Sequence, residues 1–270
     1  MTERLPGRLV LVGHPVAHSL SPRFQNAALR HAGIPLLYEA FDIAPERLAD
    51  AAARLRALGA CGNVTVPHKE AFAACCDTIT PIAARVGAVN TFWTDDGALV
   101  GDNTDVGGFE EAVAEAFGAS REWRRIALIG AGGGAAAVAA AAERWSRCAV
   151  TAWSRTPVRA DLLAKRFAGV RAALSIDAAL ADADLVVNAT PLGLGSDDPF
   201  PVAIQALPRH ACVFDLVYAR GGTPWVLASR AAGHQAADGM GMLIAQGALA
   251  FERWFGRAPA RDVMWAAATG

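Results

Sequence analysis

The sequence lacks most of what would direct a chain to a membrane, a nucleic acid or a metal. No uninterrupted apolar run reaches the ~18 residues of a bilayer-spanning helix, and no secretory leader pattern is present. Neither charge is in excess. The 25 Lys and Arg face 26 Asp and Glu, a net charge of −1, which leaves no electrostatic case for a nucleic acid or an anionic membrane as partner. The five cysteines (Cys61, Cys75, Cys76, Cys148 and Cys212) are odd in number and show no metal-ligand spacing, so no metal site is expected. Cys148 and Cys212 fall in predicted buried strands, where they read as small core hydrophobes. A reducing cytoplasm is the expected compartment. Repeats and low-complexity linkers are missing too, although alanine is abundant.

What is present is a chain of 270 residues, 53% of them hydrophobic, enough for one or two domains with a sizeable core. Its organising stretch runs from Ile126 to Ala135. The apolar strand Ile126-Ala127-Leu128-Ile129 ends in Gly130-Ala131-Gly132-Gly133-Gly134, which opens the alanine-rich helix Ala135–Trp145. Strand, glycine turn and helix together give meaning to Gly130-x-Gly132-x-x-Ala135 as a dinucleotide fingerprint. Gly130 permits the tight turn, Gly132 lets a pyrophosphate approach the backbone, and Ala135 lets helix and strand pack closely. The pyrophosphate then meets free N–H groups at the helix start. The plain alternative is a packing turn of some other α/β protein.

The fingerprint predicts an acidic residue ~20 positions on, at the end of the next strand, where the cofactor is NAD. That strand, Cys148–Trp153, ends instead in Ser154-Arg155-Thr156, with Arg159 one turn later. Forked guanidinium donors suit the 2′-phosphate of NADP better than a bare ribose hydroxyl. The spacing therefore predicts NADP over NAD, against the plain reading of two solvated loop arginines.

The first half alternates strand and helix. Arg8–Val12 reads as a strand feeding the loop Gly13–Pro22, with Ser21 as helix N-cap and Pro22 as first helical residue. Ser19 and Ser21 thus stand beside free N–H donors, a receptor for a small carboxylate. Leu36–Phe41 is a second strand. Pro45–Leu58 is a helix with Ala51, Leu55 and Leu58 on one side, and Gly62–Val66 is a third strand ending at Pro67-His68-Lys69. Such alternation implies a mostly parallel sheet with ligands at the carboxyl ends of its strands, where Thr65 and Lys69 lie. His68 reads as structural or solvent-facing. Val86–Trp93 and Ala98–Gly101 read as a hairpin about Asp95-Asp96-Gly97. The polar knot Gly101-Asp102-Asn103-Thr104-Asp105 precedes a helix through Phe117; capping by Thr104 or Asn103 accounts for one of its residues, not for all.

Beyond the glycine loop the alternation continues. Strands are predicted at Val170–Leu174, Asp184–Asn188, Ala211–Tyr218 and Gln235–Ala237. A long helix then runs from the Asp238–Met242 segment through Phe255 and carries the polar Gln246, and Arg261–Ala268 is a terminal helix. The fold class is α/β in two domains: an N-terminal α/β substrate domain with a mostly parallel sheet, and a Rossmann-type dinucleotide-binding domain.

Taken in order, these motifs resemble the shikimate dehydrogenase family over essentially the whole chain. The loop Gly13–Pro22 is similar to the family's carboxylate-binding Ser-x-Ser-Pro segment, and Asn63–Lys69 to its N-V-T-V-P-x-K, whose Lys is catalytic. Val86–Thr91 resembles G-A-V-N-T, with Asn90 toward substrate hydroxyls, and Gly101–Asp105 resembles G-D-N-T-D, whose last Asp pairs with the Lys. Ser154-Arg155-Thr156 resembles N-R-T, Asn188-Ala189-Thr190 the N-A-T strand end, and the segment holding Gln246 G-M-x-M-L-x-x-Q. Three departures stand out: Ser154 for the usual Asn, Pro191 where many members have Ser, and no Pro two positions after Tyr218.

The resemblance implies reversible NADPH-dependent reduction of 3-dehydroshikimate to shikimate. It implies Lys69 and Asp105 as catalytic residues. Ser19, Ser21, Thr65, Lys69, Asn90, Asp105, Tyr218 and Gln246 become the substrate contacts. Gly130, Ala131, Gly132, Gly133, Gly134, Ala135, Ser154, Arg155, Thr156, Arg159, Thr190, Leu216 and Gly239 become the cofactor contacts. Residues 1–105 with 239–270 form the substrate domain and 106–238 the NADP domain. A homodimer is an open expectation. Alternatives are a quinate/shikimate or aminoshikimate dehydrogenase and, from another class, a non-catalytic NADP-binding sensor. The pairing of Lys69 with Asp105 argues against the sensor, and the missing acid after the second strand argues against an NAD-linked quinate enzyme. Arg155→Ala is expected to erode the preference for NADP over NAD, read as the ratio of kcat/KM for the two cofactors; an unchanged ratio contradicts the role given to Arg155.

Overall fold

A computed structural model describes residues 7–195 and 197–270. They form two compact units. One comprises the chain up to Gly108 together with Leu243–Gly270; the other is Phe109–Met242.

The first unit opens with β1 (Leu9–Gly13), α1 (Ser21–His31), β2 (Tyr38–Asp42), α2 (Leu48–Ala57) and β3 (Cys61–Val64). It continues through α3 (Lys69–Ala73), β4 (Thr78–Ile79), α4 (Pro81–Val86), β5 (Thr91–Asp95), β6 (Ala98–Asp102) and the start of α5 (Asp105–Phe117). The sheet order is β2-β1-β3-β5-β6-β4. Only β5 runs against its neighbours, so the sheet is mostly parallel as expected. β1 is buried along its whole length and paired on both edges, and its Val10 and Val12 join Leu55, Val64, Phe72 and Phe92 in one core.

Four local expectations are corrected. Ser21 lies inside α1; Leu20 holds the N-cap position with helical φ and ψ and no side-chain cap, and the Ser19 hydroxyl accepts the Ser21 N–H (3.2 Å). The Pro45–Leu58 helix is a 3₁₀ turn (Pro45–Arg47) followed by α2, which buries Leu48, Ala52 and Leu55 while Leu58 is exposed. The cause is a helical phase set at Leu48 rather than at the proline. Val86 closes α4 instead of opening a strand, because Thr80 caps that helix through the Ala83 N–H and Pro81 starts it. Cys148 is only half-buried, just outside its strand, whereas Cys212 is buried in one. All five cysteines are free thiols.

The second unit takes in the rest of α5, then β7 (Arg125–Ile129), α6 (Gly133–Arg144), β8 (Ala149–Trp153), α7 (Pro157–Arg166), β9 (Val170–Ala172) and α8 (Ile176–Leu180). β10 (Leu185–Asn188), β11 (Cys212–Asp215), α9 (Pro224–Ala231) and β12 (Ala236–Ala237) complete its sheet, and α10 (Met240–Phe255) carries the chain back to the first unit, which ends in α11 (Arg261–Thr269). The six strands are all parallel in the order β12-β11-β10-β7-β8-β9. That is the doubly wound order whose reversal lies at β7, the strand ending in the glycine cluster, so a ligand crevice is expected there. No helix among the described residues is long and apolar enough to cross a membrane.

Candidate active site

In the first unit, β3 ends at Val64 and the turn through His68 delivers Lys69 to the first position of α3. His68 is a structural residue: it is buried and its Nε2 lies 2.6 Å from the Ile43 carbonyl. Lys69 Nζ donates to Asp105 Oδ2 at 2.6 Å, across 36 residues of sequence. The Lys69 side chain is 22% exposed and that of Asp105 only 6%. The remaining N–H bonds of an ammonium with one carboxylate partner are therefore left for an incoming oxygen.

Asp105 is held from its other side. Asn90 Nδ2 donates to Asp105 Oδ1 (2.8 Å), to Thr104 Oγ1 (3.0 Å) and to Gln246 Oε1 (3.3 Å), while Asn90 Oδ1 accepts the Thr104 N–H (2.7 Å). Asn90 is itself pinned through its backbone. Its carbonyl accepts from the Val64 N–H (2.8 Å) and Asn63 Nδ2 (3.1 Å), and its N–H donates to the Asp102 carbonyl (3.1 Å). Behind Asn63 stands Tyr38, whose hydroxyl donates to Asn63 Oδ1 at 2.8 Å. Burial pushes the Tyr38 phenol well above its ordinary range, so it remains a donor. Gln246 Nε2 returns to the Leu243 carbonyl (2.8 Å), which orients its oxygen toward Asn90. Lys69, Asn90, Asp105 and Gln246 thus converge in one cluster.

Ser19, Ser21 and Thr65 do not join that network. They lie on the segments after β1 and β3, which are adjacent strands, and among the described residues their hydroxyls make no bond to Lys69 or Asp105. The Ser19 segment is steadied by Asp42, which pairs with His14 Nδ1 (2.5 Å) and accepts the Val16 N–H (3.4 Å). The His14 hydrogen bond, foremost, keeps the Asp42 carboxyl below the usual carboxylate range. Tyr218 belongs to the second unit and is half-buried after β11.

The second unit builds a cradle from backbone. Gly130 has φ +115, and a Cβ there would stand 2.6 Å from the Ala189 carbonyl oxygen, so only glycine makes this turn. Added carbons at Gly132 and Gly133 would meet nothing within 4 Å. The first turn of α6 carries no side-chain cap, and no acceptor is bonded to its first N–H groups among the described residues. Leu216 closes one wall. Its Cδ1 lies 3.0 Å from where a Gly134 Cβ would be, and its carbonyl oxygen 2.3 Å from where a Gly239 Cβ would be. Arg155 and Arg159 are exposed and have no carboxylate partner among the described residues; the Ser154 hydroxyl accepts the Thr156 N–H (3.3 Å). Open backbone donors and two uncommitted guanidinium groups fit a dinucleotide that carries a further phosphate.

Sequence reasoning missed the device behind this cradle. Asp215, fully buried at the end of β11, accepts from Asn188 Nδ2 (2.8 Å), the Val217 N–H (3.1 Å) and Thr223 Oγ1 (2.8 Å). Asn188 Oδ1 in turn accepts the Thr190 N–H (3.0 Å) and hydroxyl (2.7 Å), which fixes the chain after β10. A lone Asp ending an apolar strand, followed eight positions on by Thr-Pro, was the available signal.

Residues 11–92 match the family model described as the shikimate dehydrogenase substrate binding domain, and residues 239–269 that of the shikimate 5′-dehydrogenase C-terminal domain. The chain is 42% identical to the shikimate dehydrogenase (NADP(+)) of Symbiobacterium thermophilum, with 99% of this chain and 95% of that one aligned. It is 43% identical to the protein of the same name from Methylobacterium radiotolerans over 93% and 92% of the two chains. Among solved structures, shikimate 5-dehydrogenase from Thermus thermophilus in complex with NADP(H) and shikimate is 38% identical, covers 98% of each chain and superposes with a TM-score of 0.89.

Burial, foremost, raises the Asp215 carboxyl to about 6 against its hydrogen bonds. A carboxyl raised in the folded state favours folding fully below its unfolded pKa, and that contribution is lost as pH rises through the folded value. For this shift the loss is about 3 kcal/mol between pH ~4 and ~6. Asp215→Asn keeps the shape and has no charge to desolvate. Its melting temperature relative to wild type is expected to rise as pH goes from 4 to 7 and then level off; a constant difference contradicts the assignment.

Proposed function

The chain belongs to the shikimate dehydrogenase family, and on that premise we propose that it catalyses the reversible NADPH-dependent reduction of 3-dehydroshikimate to shikimate, on the route to chorismate and the aromatic amino acids. The observation that carries this reading is the Lys69–Asp105 pair, set at 2.6 Å and bordered by the amides of Asn90 and Gln246. An ammonium, a carboxylate and two amides in one cluster suit a polyol ring that must gain or lose a proton at one oxygen.

NADPH, when bound, supplies the hydride. Lys69 Nζ stabilises the negative charge that develops on the ring oxygen and delivers the proton to it. In the oxidative direction the same amine removes the proton from the hydroxyl. Asp105 fixes Lys69 in place and accepts a ring hydroxyl alongside it. Asn90 and Gln246 pair with further hydroxyls; a ligand lacking one leaves a buried amide without its partner, which is how such a site discriminates. Ser19 and Ser21 hold the substrate carboxylate at the start of α1, and Thr65 completes the contacts made by this unit. The substrate domain is the unit that contains Lys69. The NADP domain is the unit whose glycine loop, Gly130–Ala135, takes the pyrophosphate, with Thr190, Leu216 and Gly239 beside it and Ser154, Arg155, Thr156 and Arg159 around the 2′-phosphate. Five free thiols suit a reducing, cytoplasmic setting.

The test is the purified chain with shikimate, then quinate, each with NADP and with NAD, followed by absorbance of the reduced cofactor. Shikimate with NADP is expected to be the best pair by kcat/KM. A better rate on quinate, a preference for NAD, or binding of NADP without turnover contradicts the reading.

A further inference from the structure

Asp102 lies in the same polar knot as Asp105, yet nothing above uses its side chain. It is 2% exposed, and its carboxylate takes three donors. Oδ1 accepts the Asn103 N–H (2.8 Å) and, in a short contact, the Thr80 hydroxyl. Oδ2 accepts Arg253 Nε at 2.9 Å. Thr80 is the N-cap of α4, so a single carboxylate joins the end of β6, the start of α4 and helix α10. Arg253 is 58% exposed and reaches inward from solvent to a sealed charge.

The consequence lies seven residues earlier on α10. Gln246 and Arg253 are two helical turns apart, about 10 Å, on one face. One meets Asn90, the other Asp102, and the Asn90 N–H itself bonds to the Asp102 carbonyl. The contact at Gln246 is the weak one, 3.3 Å against 2.9 Å at Arg253. It is also close-packed: a Cβ on Gly108 would stand 2.7 Å from Gln246 Cβ, so a small displacement of α10 is felt directly at Gln246. An amide near the edge of hydrogen-bond range does not hold a helix in place. A charge-assisted bond to a buried carboxylate does.

The geometry points to Asp102 and Arg253 as positioning residues: their ion pair sets the register of α10 so that Gln246 faces the substrate-hydroxyl cluster of Asn90 and Asp105. This rests on the substrate reading given above. The pair does not touch the ligand, and its loss acts on shikimate rather than on the cofactor.

Arg253→Met leaves Asp102 buried without its counter-charge, so the melting temperature falls. Asp102→Asn with Arg253→Met removes both charges; the new amide still accepts from Thr80 and Asn103, and stability recovers. The ion-pair restraint on α10 is absent in both, which leaves the Gln25 Nε2 bond to the Gly247 carbonyl (2.9 Å) to hold that turn alone. The expected result is a KM for shikimate raised about tenfold in the single and the double variant, with KM for NADP within twofold of wild type and Arg253→Lys closer to wild type than Arg253→Met. A shikimate KM that never moves, or that recovers together with the melting temperature in the double variant, overturns the inference and leaves the pair a matter of stability alone. The wild-type rate on shikimate, measured in the same series, judges the substrate reading separately. Should that rate be absent, the rise in melting temperature caused by shikimate judges the pin. An equal rise in wild type and double variant overturns it, a smaller rise in the double variant supports it, and no rise in wild type overturns both.

Discussion

A carboxylate with 6% of its side chain exposed, holding an ammonium at 2.6 Å, is the constraint around which the first unit is arranged. Removing two charges from water is costly unless their remaining lone pairs and protons find partners. Asp105 meets this condition by taking Asn90 on its free oxygen, and Asn90 meets its own through Asn63, Thr104, Gln246 and the backbone of β3 and β6. Residues as distant as Tyr38 and Gln246 are thereby committed to one cluster. The polar knot follows from the same requirement. Asp102 receives Arg253, Asn103 bridges the Ala88 carbonyl and the Asp105 N–H, Thr104 locks Asn90, and Asp105 receives Lys69. Each side chain has a partner that a substitution leaves stranded.

The second unit works differently. Its recognition surface is backbone, opened by glycines that leave space at Gly132 and Gly133 and permit a turn at Gly130 that no other residue makes. Behind that surface Asp215 is buried among neutral donors with no cationic partner among the described residues, and burial raises its carboxyl to about 6. One unit neutralises its buried carboxylates, Asp105 with a lysine and Asp102 with an arginine, while at Asp215 the other ties three segments together through neutral donors.

The alternation of strands and helices, both sheets and the glycine loop were legible because they rest on short-range patterns: apolar periodicity, glycine at the strand end, a guanidinium pair where an acid was due. The convergence of Lys69, Asn90, Asp105 and Gln246 was legible only through motif order, since nothing local in four polar residues says that they meet. Ser21 was misread because a helix start looks the same whether the hydroxyl caps it or lies one position inside. The Thr80-Pro81 start of α4 carried a clear capping signal that the following apolar run masked. Asp102 with Arg253 was invisible, because its members lie 151 residues apart and look like ordinary surface polar residues in sequence, whereas Asp215 with Thr223 left only the weak local signal of an Asp before Thr-Pro.

The account rests on Lys69 moving the proton of the reacting oxygen only while Asp105 holds it. A double-mutant cycle on kcat for shikimate oxidation, with Lys69→Met, Asp105→Asn and the two combined, tests that most directly. The predicted result is a loss of about 10²- to 10⁴-fold for each single variant and little further loss in the double, as for groups that act as one unit. A kcat within tenfold of wild type for Lys69→Met, or losses that multiply in the double variant, would contradict it.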